Sequence, residues 1–133
     1  MKNEYIKKFD SVENVQTHMG IMHGAVITTN LHKYKFYIEG ESPNDGVGDC
    51  LLVDSNRDEG IISAIIKDIN YEDVDFEKVY GPMIFKDDET YYVTTFTTTR
   101  GDLNAILYAR YDDDVEHSIL IMRDDEVITE SHI

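Results

Sequence analysis

Apolar positions along the first forty residues follow two different rhythms. Val12, Val15 and Met19 recur at helical spacing, and Asp10 with Glu13 makes the D-x-x-E box that opens a helix. Gly20 is placed to stop it, so the pattern predicts a first helix ahead of that glycine. Ala25–Thr29 then reads as a strand, with a turn at Asn30-Leu31-His32. Lys33–Glu39 alternates with a period of two. Tyr34, Phe36 and Ile38 fall on one face, and Lys33, Lys35, Tyr37 and Glu39 on the other, the signature of a half-buried antiparallel strand.

The stretch Gly40–Asp49 is a loop built around Pro43-Asn44-Asp45-Gly46, and Cys50–Val53 is a short apolar strand. Ile61, Ile62, Ile65, Ile66 and Ile69 form one stripe at helical spacing, which predicts a second helix ended by Asn70. Isoleucine is a modest helix former, so packing on a sheet would have to hold that helix. Everything after Tyr71 reads as sheet: Phe76–Tyr80, Met83–Phe85 after the Gly81-Pro82 break, Thr90–Thr99, Leu103–Tyr111, His117–Met122 and Val127–Thr129. The expected architecture is α+β, a curved, mostly antiparallel sheet with a C-terminal meander and two helices packed on it. A chain of 133 residues can bury one core, so a single domain over residues 1–133 is expected.

Charge changes the picture more than composition does. The net charge is −15, yet residues 1–40 hold four acids (Glu4, Asp10, Glu13, Glu39) against five lysines (Lys2, Lys7, Lys8, Lys33, Lys35). The negative excess therefore lies wholly after Gly40. It disfavours direct binding of nucleic acid or an anionic membrane, both of which need positive charge, and favours a basic partner or a divalent cation. Cys50 is the only cysteine and can form no internal disulfide. Met1–Phe9 carries lysines without a following apolar run, unlike a signal peptide, and no run of 18 apolar residues occurs. The expected location is the cytoplasm of a bacterial host cell.

Candidate chemistry is sparse. Asp54-Ser55-Asn56-Arg57-Asp58-Glu59-Gly60 matches the first half of a calcium loop, but the glycine comes one position late and Ile65 stands where a bidentate glutamate belongs. It reads as a polar turn, and no metal site or cofactor is assigned. His18 and His23, five residues apart, chelate on neither a helix nor a strand. Ser63 lies outside any G-x-S-x-G elbow, and Cys50 reads as a buried structural thiol. Arg100-Gly101-Asp102 looks like the integrin-binding tripeptide, although a tight hairpin turn calls for such residues anyway.

The acids gather in clusters. In an uninterrupted meander, the turns at Asp87-Asp88-Glu89 and at Asp112-Asp113-Asp114, with Glu116, would share one rim. Glu72, Asp73 and Asp75 follow the second predicted helix, and Tyr111 supplies an aromatic anchor. These residues form the expected partner-binding surface of a small, non-enzymatic acidic protein. Its expected role is stoichiometric inhibition of a basic nucleic-acid-binding or nuclease partner, in the manner of a phage DNA mimic or a bacterial immunity protein. The alternatives are a small-ligand protein or enzyme with a pocket between sheet and helices, and an assembly protein that pairs as a homodimer.

Overall fold

The computed structural model describes residues 3–54, 60–71, 91–109 and 116–133. Nine strands account for most of them: β1 (Ile6–Thr17), β2 (Gly20–Thr29), β3 (Lys33–Glu39), β4 (Gly48–Asp54), β5 (Ile66–Asn70), β6 (Tyr91–Thr98), β7 (Gly101–Ala109), β8 (Ser118–Arg123) and β9 (Glu126–His132). They build two antiparallel sheets, ordered β1-β2-β3-β8-β9 and β4-β7-β6-β5. The sheets join at one corner, where Ile6 N–H donates to Ala64 O (3.1 Å) and Ser63 N–H to Ile6 O (2.7 Å).

The expected α+β architecture is corrected here. No α-helix occurs among the described residues; the sole helical element is a 3-10 turn at Pro43–Asp45. The first predicted helix falls on β1 and the second on a turn at residues 61–63 followed by β5, and bulges in both strands explain the misleading spacing. Ile6 pairs with Thr29 and Phe9 with Ile27, so three residues of β1 span two of β2. The same happens between Val12, opposite Gly24, and Val15, opposite Met22, where Asn14 takes a left-handed φ of 54°. Each extra residue flips the alternation. Ile6 and Phe9 therefore both face the inner core, and Val12 and Val15 both face the outer side.

The isoleucine stripe has the same origin. Ile66 lies opposite Thr98 and Ile69 opposite Phe96, with a register shift between them, so both point inward. Ile61 is buried at a turn, and Ile65 bridges to Tyr5. A spacing of three is shared by a helix and a bulged strand, and here β-branched isoleucine favours the strand. The C-terminal meander is also interrupted. β6 and β7 form a hairpin, but the chain then crosses to the other sheet, where β8 pairs with β3. The turns at Asp87-Asp88-Glu89 and Asp112-Asp113-Asp114 lie outside the described residues; of the strands next to them in the chain, β6 and β7, Tyr91 pairs with Tyr108.

The main core fills the space between the sheets. Tyr34, Phe36, Ile38, Ile119 and Ile121 meet Phe96, Leu103, Ala105 and Leu107. The Phe96 ring takes edge contacts from both Tyr34 (5.2 Å) and Phe36 (6.0 Å). A second cluster, Met22, Val26, Tyr37 and Leu120, lies on the outer face of the five-stranded sheet, with Met19 from the β1–β2 turn packed on it. That turn folds far enough over the face for His18 to bond Glu130 on β9, the opposite edge. Tyr37, expected on a half-solvated face, is buried by this arrangement.

Candidate functional site

Turns gather at one end of the sandwich, and side chains tie them together. Asn30, in the β2–β3 turn, accepts from Tyr5 N–H through Oδ1 (2.8 Å) and donates to Asn3 O through Nδ2 (2.9 Å). Ile65 N–H donates to Thr99 Oγ1 (3.1 Å), and Arg100 reaches from the β6–β7 turn to Ile62 O (3.0 Å). His32 bonds Asp124 in the β8–β9 turn (2.6 Å), and Lys33 N–H donates to the other oxygen of that carboxylate (2.9 Å). These two donors hold the Asp124 carboxyl below the usual carboxylate range, the histidine contributing most.

Beneath the turns, Glu4 Oε2 accepts hydroxyl bonds from Thr29 (2.7 Å) and Tyr34 (2.8 Å). Burial, then the bond to the Glu4 carboxylate, raises the Tyr34 hydroxyl far above the ordinary tyrosine range. A phenol in that state is a fixed hydrogen-bond donor, and it cannot serve as a base near neutral pH. An open depression of about 520 Å³ lies at the surface above, lined by Asn3, Tyr5, Asn30, Ser63 and Ile65. Its apolar border is unusual. Among the described residues six large hydrophobic side chains are exposed; Tyr5 lines the depression, and Leu31 and Ile62 follow and precede its lining residues Asn30 and Ser63 in the chain. Asp125 and Glu126 stand exposed next to Asp124, and Arg123 is already engaged with Glu126 (3.1 Å).

The described residues assemble no catalytic set. The Cys50 side chain packs against the core, and burial raises its thiol above the ordinary range, so thiolate is disfavoured. His18, His32 and His117 each bond a carboxylate, Glu130, Asp124 and Glu39 respectively, and His23 bonds two backbone carbonyls. Among the described residues no group of three His, Cys, Asp or Glu side chains is arranged to hold a metal ion. No helix among them is long and apolar enough to cross a membrane.

Of the acids expected at the partner surface, Glu72, Asp73, Asp75, Asp87, Asp88, Glu89, Asp112, Asp113 and Asp114, together with Tyr111, lie outside the described residues. So do Ser55 to Glu59 of the calcium-like loop. Glu116 is described: it is exposed and precedes His117, whose ring bonds Glu39 (3.2 Å) at the end of β3 away from the turn cluster. Sequence reasoning missed Tyr5, Leu31 and Ile62 as surface residues. The legible signal was Leu31, an apolar side chain in a polar turn where nothing local would bury it. Comparison with known proteins finds no family model, no curated protein and no solved structure that matches this chain.

Proposed function

We propose that this protein is a non-enzymatic acidic binding protein that docks a basic protein partner at the turn-rich end, as a stoichiometric inhibitor of a nucleic-acid-binding protein or nuclease. One observation carries the reading: Tyr5 lines an open depression, Leu31 and Ile62 stand exposed next in the chain to its lining residues Asn30 and Ser63, and Asp124, bonded to His32 of the same β2–β3 turn, is followed by exposed Asp125 and Glu126, in a chain of net charge −15. Apolar anchors supply affinity in a protein interface, and complementary charge supplies approach rate and choice of partner. His18, His23, His32 and His117 and the Cys50 side chain are engaged in structural contacts, and surface recognition is the chemistry this end offers. The acids after Gly40 extend the negative field from which a basic partner would be steered.

The test is capture followed by measurement on the purified pair. Immobilised protein in bacterial lysate at low salt should retain a basic protein that high salt releases. A Tyr5→Ala/Ile62→Ala double variant should then weaken binding of that purified partner by about tenfold or more, the cost of truncating central anchors. An Asp125→Lys/Glu126→Lys variant should chiefly slow association and flatten its salt dependence. Retention of no basic protein, or equal affinity for wild type and both variants, rejects the proposal.

A further inference from the structure

At the opposite end of the sandwich, a fully buried histidine faces two carbonyl oxygens. His23, on β2, has no exposed surface. Its Nδ1 lies 3.0 Å from Gly40 O and its Nε2 lies 2.8 Å from Gly48 O. Carbonyl oxygens only accept, and a neutral imidazole has a single N–H, so one of its nitrogens would turn a lone pair on a carbonyl at contact distance. Only the doubly protonated ring donates to both. We propose that His23 is held as an imidazolium that locks the 40–48 loop onto the sandwich, and that loss of its second proton releases that loop.

The lock closes the loop at both of its ends. Within it, Asp45 Oδ2 accepts from Glu41 N–H (2.6 Å), Ser42 Oγ accepts from Asn44 N–H (3.2 Å), and Gly46 ends the turn at a φ of 80°. Asn14 N–H, at the β1 bulge, donates to Glu41 O (2.9 Å). The loop is thus internally ordered between Gly40 and Gly48. Acidic residues belong to the segments around the ring. Asp45 Oδ2 and His23 Cε1 both lie within 3.5 Å of the point where a Cβ on Gly40 would sit. Glu39 and Glu41 flank Gly40, Asp49 follows Gly48, and Glu13 belongs to the bulge opposite His23. His117 is the other titratable base nearby and is bonded to Glu39. The two carbonyl acceptors give each ring N–H of the buried imidazolium a hydrogen-bond partner.

The experiment uses the whole chain with ¹⁵N-labelled histidine. Long-range ¹H–¹⁵N spectra report the protons on each ring nitrogen, and amide exchange reports Gly40, Glu41 and Asp45, from about pH 5 to about pH 9. Both His23 nitrogens should be protonated at the acid end. As the second proton leaves, loop exchange should accelerate about tenfold beyond intrinsic base catalysis, the equivalent of one lost hydrogen bond. A His23→Gln variant should remove that pH step. A ring with one bare nitrogen while the loop amides stay protected overturns the proposal, and so does a pH step that survives in the variant. Should the variant fail to fold, coincidence or separation of the two wild-type readouts decides the matter.

Discussion

The two ends of this sandwich satisfy their polar groups by opposite means. At the turn-rich end, side chain meets side chain: His32 with Asp124 and Arg123 with Glu126 near solvent, and Tyr34 and Thr29 with Glu4 beneath them. At the other end, a buried ring is clamped between backbone carbonyls, and glycines make room for close approach. A Cβ on Gly24 would sit 1.8 Å from Phe36 O, and one on Gly48 would sit 2.1 Å from Tyr108 O. Exposed pairs tolerate change because water can replace a partner, whereas backbone contacts at that distance cannot relax. The difference assigns the tight end to holding the fold and leaves the other free to carry a contact surface.

That contrast can be broken most severely at Gly24. Gly24→Ala drives a methyl into the Phe36 carbonyl on β3, and a loss of about 3 kcal/mol or more is expected from overpacking against backbone. Denaturant midpoints at constant m-value would measure it, and a loss below about 1 kcal/mol would show that the strands separate easily. His23→Ala comes next. It leaves two carbonyls without donors and an empty space, at a cost of about 2–4 kcal/mol by the same measurement.

At the turn-rich end the effects should shrink. Tyr34→Phe removes the hydroxyl held by Glu4 while keeping the ring against Phe96, so a loss of about 1 kcal/mol is expected. Asp124→Asn touches an exposed pair and should change stability at neutral pH by less than about 1 kcal/mol. Its sharper consequence is in acid. The folded Asp124 carboxyl titrates below its unfolded value, so its contribution is complete above the ordinary carboxylate range and disappears as pH falls through the folded value. Acid titrations followed by denaturation should therefore be shallower for Asp124→Asn than for wild type. Equal slopes would place the acid sensitivity in other carboxylates.

Much of the strand content was legible along the chain. Lys33–Glu39 is β3 as its alternation requires, and the threonine-rich and aromatic segments around Thr90–Thr99 and Leu103–Tyr111 contain β6 and β7. The turns at Asn30–His32 and Arg100–Asp102 also fall where their residues predict. The two helices were illegible as strands because a bulge makes the inward positions recur at three rather than two. Nothing local separates that from a helix in a segment such as Val12–Met19. The exposed apolar side chains were equally hidden. Ile62 sits in an isoleucine run whose neighbour Ile61 is buried, and only the turn at Ile62–Ser63, with Ser63 at a φ of 72°, sends the two apart.

The sequence alone determined that the chain is strongly acidic after Gly40, that β3 has one apolar face, and where several hairpins turn. These are consequences of side-chain identity and local backbone preference. Tertiary structure decided the rest: which face each bulged segment presents, that β8 leaves its neighbour in sequence to pair with β3, and that Gly40 and Gly48 bring their carbonyls to one buried ring. Sheet pairing joins residues far apart in the chain, and its energy outweighs the helical preference of a short apolar stripe. Two carbonyls separated along the chain by the 40–48 loop become a site only when the strand bearing His23 is laid between them.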